Sequence, residues 1–375
     1  MSECFHSSFE SVAGGVPEHF FTLYSVWNES FESECKALLE RYECELAAYA
    51  CSVESEFLLR FHLSDVTNQS PALYRLLAGR NSFISVVGQS PANGSRLALE
   101  AWHIPGIRKE KVKEHAFCCQ LENYKPLLSE GEDQPSLEGS YEQTAGEFAS
   151  LESLLGEYGT TIASSTARTW LYCRDVDNNY KGLVLARNAC FDRIGLTADT
   201  HFIASTGIEG QSERPSRLVK MDSLSYPGIE ESQYIYLDAL EMLSPTALYG
   251  VRFERGTRVV FGDRSHYLIS GTASIDKEGV VLYEKDVRSQ TKRVLDNVEA
   301  LMAEGGSSLK DLKLATVYLR TAADYPIVKE ELCKRLPEGM PFVILLAPVC
   351  RPAWLVEMEC IGVNSAGDGR YKIFR

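Results

Sequence analysis

The 375-residue sequence lacks an apolar run long enough to cross a membrane, because its longest, residues 342–350, is interrupted by Pro348. A helix that spans a bilayer needs about 20 consecutive apolar residues. The N-terminus also lacks the basic segment and apolar stretch of a secretion signal. We therefore expect a cytoplasmic protein with no membrane partner.

Metal and nucleotide motifs are missing as well. The eleven cysteines include no C-x-x-C pair, and no histidine pair lies at ligand spacing near Cys118 and Cys119. Reduced, mostly buried thiols and no metal are expected. The sequence contains no P-loop, no G-x-G-x-x-G and no Ser-His-Asp order, so we expect chemistry without a cofactor.

An excess of positive charge is absent too, since the formal net charge is −14. This argues against broad binding to nucleic acid, which needs a basic surface. It leaves room for a local basic pocket that binds a small anion. A hydrophobic content of 45% is ordinary for a globular protein, and 375 residues suggest two or three domains.

One pattern of helix, strand, helix and strands recurs three times when the chain is laid against itself. The last copy predicts helices at about 286–304 and 325–335 and strands at 314–320, 342–347 and 353–362. The middle copy predicts helices at 149–155 and 178–193 and strands at 169–174 and 201–206. The first, more degenerate copy predicts helices at 30–49 and 71–77 and strands at 57–63, 83–87 and 97–102. We expect an α/β fold with units at 1–108, 109–240 and 241–375.

Two segments have the composition of surface loops. Residues 120–145 are rich in Glu, Ser, Gly and Pro, and residues 208–232 contain Gly210, Pro215, Pro227 and Gly228. Such clusters interrupt regular structure. The second segment could also fold over a site.

Glu357 is an acidic residue within an apolar, β-prone run that includes Trp354, Val356 and Met358. Apolar surroundings raise the pKa of a carboxyl group and keep it protonated for acid catalysis. Alternatively, Glu357 and Glu359 share a solvent face, since strand side chains alternate with period two. Both interpretations are open from the residues alone.

The last 120 residues resemble the YjgF/Rid family. The resemblance is carried by Gly271-Thr272-Ala273-Ser274, by Gln290 and Asn297 on the following helix, by the turn 305–308 and by the strand around Glu357. It implies units that pack in threes, with active sites in clefts between neighbours. Three units in one chain would make a monomeric pseudo-trimer, and a single genuine unit would make a homotrimer. Imine-deaminating members carry an arginine where counting back from Glu357 gives Phe342, so imine hydrolysis is not expected.

Residues 95–362 also resemble the chorismatases, which cleave the enolpyruvyl ether of chorismate. The matching segments, in order, are 99–102, 168–172, Tyr180 with 187–191, 253–255, 270–274 and 350–357. The resemblance implies that the substrate is chorismate, that pyruvate is released, and that Glu357 is the catalytic acid. We expect the cleft between the middle and last units.

The chemistry of chorismate suits these residue types. Protonation of its vinyl methylene gives an oxocarbenium ion, for which a carboxylic acid is a suitable donor and, once ionised, a counter-charge. Guanidinium groups match its two carboxylates through paired hydrogen bonds. The expected substrate-binding residues are Arg168, Tyr180, Arg187, Tyr249, Arg255, Gly271, Ala273 and Arg351. Each arginine could instead be a surface residue in a weak salt bridge.

Cys350 lies seven residues before Glu357 and is the expected second catalytic residue. In chorismatases that form 3-hydroxybenzoate the matching position resembles cysteine, whereas those that hydrolyse chorismate have an aliphatic residue. A thiol could exclude water, so that the ring hydroxyl attacks within the molecule; the alternative is an ordinary buried cysteine. We expect pyruvate and 3-hydroxybenzoate. The alternatives are hydrolysis to a dihydroxycyclohexadienoate, Rid-type imine deamination, and a non-catalytic ligand-binding protein of the YjgF fold.

Overall fold

The computed structural model describes residues 4–375, except for the side chain of Tyr249. Three β-sheets each carry a pair of longer helices, which confirms the predicted α/β class. Within this described part, no helix has the length and apolar character needed to span a bilayer.

The first part of the chain forms sheet 1, in the order β1-β2-β6-β3-β4. Its elements are β1 (Cys4–Phe9), β2 (Glu18–Tyr24), α1 (Phe31–Ala48), β3 (Glu56–Leu63), α2 (Val66–Leu76), β4 (Phe83–Gly88), β5 (Ser90–Pro91) and β6 (Leu97–His103). The side chain of Ser30 caps α1 by accepting a hydrogen bond from the Ser33 amide. Leu38, Tyr42 and Leu46 follow one face of α1 at helical spacing and are buried against the sheet.

The middle part forms sheet 2, in the order β11-β10-β12-β9-β8-β7. Its elements are β7 (Arg108–Lys113), β8 (Ala116–Gln120), β9 (Leu127–Glu130), α3 (Ser140–Glu157), α4 (Ile162–Ser165), β10 (Thr166–Cys173), α5 (Val176–Ile194), β11 (Ala204–Glu209) and β12 (Val219–Ser225). Helix α5 packs beside α3 and carries side chains towards the edge strand β11.

The last part forms sheet 3, in the order β13-β14-β15-β18-β16-β17-β5. Its elements are β13 (Tyr234–Leu237), β14 (Gly256–Val260), β15 (Ser265–Ala273), α6 (Val287–Glu304), β16 (Leu312–Leu319), α7 (Tyr325–Arg335), β17 (Phe342–Leu346) and β18 (Val356–Asn364). The short β5, from the first part of the chain, pairs with β17 and completes this sheet.

The three sheets repeat one strand topology. The strand orders β2-β6-β3-β4, β9-β12-β10-β11 and β15-β18-β16-β17 are equivalent, with the last strand of each unit inserted antiparallel between two others. This agrees with the predicted repeat. Three points stay predictions: the unit boundaries at 108 and 240, the pseudo-trimeric packing and the monomeric state. Strand β5 lies before the first boundary and β13 before the second, yet both pair with strands of sheet 3.

The two predicted loops contain regular structure, and this part of the prediction is wrong. Segment 120–145 includes β9 and the start of α3, and segment 208–232 includes the whole of β12. Strand β12 is central and buried along its entire length, although it contains Lys220 and Asp222. The charged residues of β12 made its sequence resemble an exposed loop, although their side chains form ion pairs inside the protein.

A cluster of buried charges joins the three sheets where their central strands meet. The Arg60 guanidinium of β3 lies 3.7 Å from Glu100 of β6, and 3.8 Å from both Asp222 of β12 and Glu359 of β18. Isolated buried charges are expensive, whereas opposite charges compensate one another. The cluster fixes β18, and with it the neighbouring Glu357, against the other two sheets.

Candidate active site

A cavity of about 290 Å³ opens between elements of sheet 2 and sheet 3. Helix α5 and strand β11 form one side, and the segment before β14, the end of β15 and the segment before β18 form the other. Its lining residues are Tyr180, Lys181, Val184, Leu185, Arg187, Ser205, Thr206, Gly207, Gly250, Val251, Phe253, Arg255, Gly271, Ala273, Ile275, Cys350, Arg351, Trp354 and Glu357. A cavity therefore lies where the cleft was expected, and its use as the functional cleft stays a prediction.

Strand pairing sets the position of Glu357. On β18 it lies opposite Ala273 of β15 and Tyr318 of β16. Strand β15 has an irregular register between residues 269 and 272, a β-bulge that includes Gly271. A Cβ atom at Gly271 would lie 2.2 Å from Oε1 of Glu357, so the carboxylate needs a glycine there.

Glu357 is only 6% exposed, and across residues 4–375 no hydrogen bond to its carboxylate is found. Burial, helped by the negative charge of Glu359, raises the pKa of Glu357 to about 8, although Arg168 and Arg255 oppose the shift. A carboxyl group with this pKa is mostly protonated at neutral pH. Glu357 can therefore hold a proton at neutral pH, and the solvent-face alternative is wrong, because Glu357 and Glu359 are both buried.

Arg168 lies behind the cavity rather than in its lining. Its guanidinium donates to Glu359 Oε2 (2.8 Å), Ser270 Oγ (3.1 Å) and Thr206 Oγ1 (2.5 Å). Thr206 Oγ1 also accepts a hydrogen bond from the Gly271 amide at 2.9 Å. Arg168 therefore braces the wall that holds Glu357, and its expected contact with substrate stays a prediction.

Cationic side chains dominate the charged part of the lining. Arg187 is buried, and its Nε and Nη2 atoms have no hydrogen-bond partner among the described residues. Arg255 donates from Nη2 to the Ser244 carbonyl oxygen at 2.8 Å, and the Arg351 guanidinium lies 4.9 Å from the Trp354 ring centroid. Glu357 is mostly neutral, so the cavity carries positive charge and suits an anionic ligand.

Cys350 and Tyr180 keep their protons at neutral pH. Burial and the nearby carboxylate of Glu357 raise the pKa of Cys350 to about 12, although a hydrogen bond with Tyr180 opposes the shift. Burial also raises the pKa of Tyr180 well above its usual value. A protonated thiol is a poor nucleophile. Cys350 can thus shape the cavity or donate a weak hydrogen bond, but the thiolate needed for covalent catalysis is disfavoured.

Comparison with known proteins agrees with this geometry. Residues 259–364 match the family described as Endoribonuclease L-PSP. A RutC family protein of Pyrococcus abyssi is 33% identical over 94 residues, which are 25% of this chain and 74% of that protein. The chain belongs to the RutC family. This confirms the resemblance to YjgF/Rid proteins in its C-terminal unit.

Two further similarities extend beyond the RutC-family segment. A 3-hydroxybenzoate synthase of Streptomyces hygroscopicus is 27% identical over 239 residues, covering 58% of this chain and 68% of that protein. A crystal structure of a chorismatase superposes with a TM-score of 0.64 and 19% identity, covering 82% of this chain and 93% of the other. The second similarity shows the fold, and together they confirm the resemblance to chorismatases.

The structure gathers most of the site residues expected from the sequence of this RutC-family chain. Those that line the cavity are Glu357, Cys350, Tyr180, Arg187, Arg255, Gly271, Ala273 and Arg351. Arg168 is one layer behind them. The side chain of Tyr249 lies outside the described part of the structure, although the adjacent Gly250 and Val251 line the cavity.

The sequence argument against imine hydrolysis does not hold. Phe342 begins β17, opposite Ala315, and its ring lies 6.3 Å from that of Phe5. It does not line the cavity, so an arginine missing at this position says nothing about the site. The expectation that the protein does not hydrolyse imines therefore stays a prediction.

Several lining residues were not expected from the sequence. Lys181 adjoins and Phe253 belongs to a matched segment, whereas Thr206 and Gly207 lie outside these segments, and no chemistry singled out any of the four. A signal for Phe253 did exist, since it lies two residues before Arg255 and alternate residues of an extended segment share a side. The importance of Gly207 could not be read from the local sequence, because it depends on a tertiary contact. A Cβ atom at this position would lie 3.0 Å from Cε2 of Tyr180.

Proposed function

We propose that the protein cleaves the enolpyruvyl ether of chorismate and releases pyruvate and 3-hydroxybenzoate, without a cofactor and with Glu357 as general acid. The observation that carries the proposal is a buried carboxyl group with a pKa of about 8, at the wall of a cavity that otherwise presents cations. The similarity to a 3-hydroxybenzoate synthase supports the choice of product.

Each proposed role follows from a position in the cavity. Arg187 and Arg255 bind the two carboxylates of chorismate, since guanidinium groups pair with carboxylates through two hydrogen bonds. Glu357 then protonates the vinyl methylene, and its new carboxylate stabilises the oxocarbenium ion. The carbon–oxygen bond between the ring and the side chain breaks, and its electron pair leaves with pyruvate.

The ring hydroxyl supplies the oxygen that remains on the product. It attacks the adjacent ring carbon, which bears the ether, and loses its proton, so that the oxygen bridges the two carbons as an epoxide. The bond from this oxygen to its original carbon then breaks, the carbon that keeps the oxygen loses its hydrogen as a proton, and the oxygen takes up a proton, which gives the aromatic product. One proton returns to Glu357, so the reaction consumes no water overall. Cys350, beside Glu357 and Tyr180, excludes water from this position and favours the intramolecular attack.

The test is to mix the purified protein with chorismate, follow pyruvate release and separate the ring product by chromatography. Pyruvate with 3-hydroxybenzoate supports both proposed roles. Pyruvate with a non-aromatic diol would retain the acid role of Glu357 but contradict the role of Cys350. Absence of pyruvate would overturn the proposal and direct the next assay to imine deamination or to ligand binding alone.

A matched variant separates the two roles. Cys350→Ala leaves the acid in place but opens room for water, so we expect pyruvate release to continue while the diol share of the product rises. An unchanged product ratio would show that the thiol does not steer the reaction. Light scattering on the same preparation tests the predicted monomer.

A further inference from the structure

Two cations of the cavity face a single aromatic ring. The guanidinium carbon of Arg187, on α5, lies 5.9 Å from the ring centroid of Phe253, and that of Arg255, before β14, lies 5.4 Å from it. All three residues line the cavity. The ring therefore lies where a cation from the middle part of the chain meets one from the last part.

The ring differs from a carboxylate as a partner for Arg187. A carboxylate would neutralise the guanidinium and occupy its N–H donors, whereas the face of an aromatic ring attracts a cation and leaves both its charge and its donors available. Arg187 is buried, it forms no salt bridge within residues 4–375, and its Nε and Nη2 atoms are unpartnered there. A buried cation kept in this state is prepared for an anion that enters the cavity.

The backbone explains how one ring reaches both cations. Residues 251–255 lack helical structure and lead directly into β14, and Phe253 and Arg255 both line the cavity. Asn188 of α5 donates to the Gly250 carbonyl oxygen at 3.0 Å, and Arg252 donates to the Asn188 carbonyl oxygen at 3.2 Å. These bonds tie the segment to the helix that carries Arg187.

We propose that Phe253 is a positioning residue that holds the Arg187 and Arg255 guanidiniums side by side, so that the cavity selects ligands with two carboxylates. Two like charges near each other repel, and the shared ring offsets part of that repulsion. The proposal deepens the proposed function by naming what selects a dianion. It rests on that function only for the identity of the natural substrate.

Calorimetric titration tests the inference without turnover. The probes are isophthalate, a benzene ring with two carboxylates, and benzoate, which has one. Phe253→Leu keeps apolar volume but removes the ring face. Two cation–π contacts of roughly 0.5–1 kcal/mol each correspond to about a tenfold loss of isophthalate affinity, with a smaller loss for benzoate. Phe253→Tyr keeps the ring face and should retain the affinity.

The control is Phe148→Leu, which removes an equally large ring that is buried beside Phe191, away from the cavity. It should lower the melting temperature and leave isophthalate affinity unchanged. With chorismate, Phe253→Leu should raise KM about tenfold and leave kcat within a few-fold.

The outcomes separate this proposal from the proposed function. Preferential isophthalate binding that Phe253→Leu abolishes supports the positioning role even if chorismate is not cleaved. Equal isophthalate affinity in wild type and Phe253→Leu would overturn the role even if chorismate is cleaved. Failure of the wild-type protein to prefer isophthalate over benzoate would overturn it as well.

Discussion

Glu357 on β18 and Lys220 on β12 occupy equivalent positions in two sheets but have opposite surroundings. Each is paired with a tyrosine, Tyr318 or Tyr172, on the neighbouring strand. Lys220 donates to the Val86 carbonyl oxygen at 3.0 Å and lies 2.9 Å from a carboxylate oxygen of Glu130. Glu357 faces a cavity instead, and its carboxylate has no hydrogen bond from the described residues.

The comparison shows that equivalent positions of a repeated fold can carry either a charge paired inside the protein or an acid that lines a cavity. Lys220 donates to the Ser85 hydroxyl and the Val86 carbonyl oxygen and is paired with Glu130, so its charge is compensated within the protein. Around Glu357 the glycine of the β15 bulge keeps space open, and Nε and Nη2 of the buried Arg187 have no hydrogen-bond partner among the described residues. An open arrangement of polar groups costs stability and is retained where it serves binding or catalysis.

The largest expected effect comes from Glu357→Gln. The amide has nearly the same shape but cannot donate the carboxyl proton, so kcat should fall at least about 1000-fold, near the upper end for loss of a general acid. Chorismate should still bind with similar affinity, measured by calorimetry. Turnover within tenfold of wild type would contradict the acid role.

Lys220→Met should give the complementary result: the free energy of unfolding should decrease while catalytic activity is retained. Among the described residues, removing the ammonium leaves Glu130, whose side chain is 9% exposed, with the Arg217 guanidinium at 2.8 Å as its remaining ion-pair partner. Breaking a buried pair in this way typically costs about 3 kcal/mol of unfolding free energy. Urea unfolding measures the loss, and unchanged KM and kcat at low temperature would confirm that the β12 position is structural. A large change in KM would show that Lys220 on β12 also affects the site, contrary to the structural role expected for it.

Gly271→Ala should lower kcat by roughly 100-fold, because the added Cβ atom would lie 2.2 Å from Oε1 of Glu357 and must displace the acid. Gly207→Ala is the matched control, since its Cβ would approach the Tyr180 ring at a less severe 3.0 Å. We expect only a few-fold loss of kcat there, measured in the same pyruvate-release assay. Equal losses in the two variants would show that the cavity responds to any added methyl group.

The pH dependence separates two buried acids that both have a pKa of about 8. Burial raises the pKa of Glu147, near Lys220, as it does that of Glu357. The acid form of Glu357 is the reactive one, so kcat should be level below pH 8 and fall about tenfold per unit above it. Glu147→Gln should leave this rate profile unchanged.

The same acids affect stability in a defined window. A folded-state pKa raised from 4.5 to about 8 means that the folded protein holds a proton that the unfolded chain has lost. Stability therefore decreases as pH rises through this range, and either glutamine variant should reduce that decrease. A Glu147→Gln variant with a shifted rate profile would contradict the separation of the two regions.

Prediction from the sequence succeeded where side-chain pattern and environment agree. Helix α7 has the predicted limits, Tyr325 to Arg335, and β3 and β6 were found from apolar runs. Helix α2 begins five residues before the predicted start, because Asp65 caps it and Pro71 is accommodated inside it. A proline within a helix is rarely predicted from local pattern alone.

The site was predictable as a set of residue types but not as an arrangement. Glu357 and Arg187 could be selected because their chemistry suits the dianionic enol ether that the chorismatase resemblance implies. The sequence could not show that Arg168 donates hydrogen bonds to Glu359, Ser270 and Thr206, since these residues are 191, 102 and 38 positions away from it. It also could not show that Lys220 is neutralised by Glu130, and for that reason β12 was mistaken for a loop.

The repetition of one strand topology within a single polypeptide has an evolutionary consequence. In a ring of identical subunits each substitution appears in every cleft, so no cleft can change alone. Here the position of Glu357 is held by Lys220 in β12 and by Ala98 in β6, and each is free to mutate separately. Joining the repeats in one chain thus allows the residue at the Glu357 position to change without a change in its two counterparts.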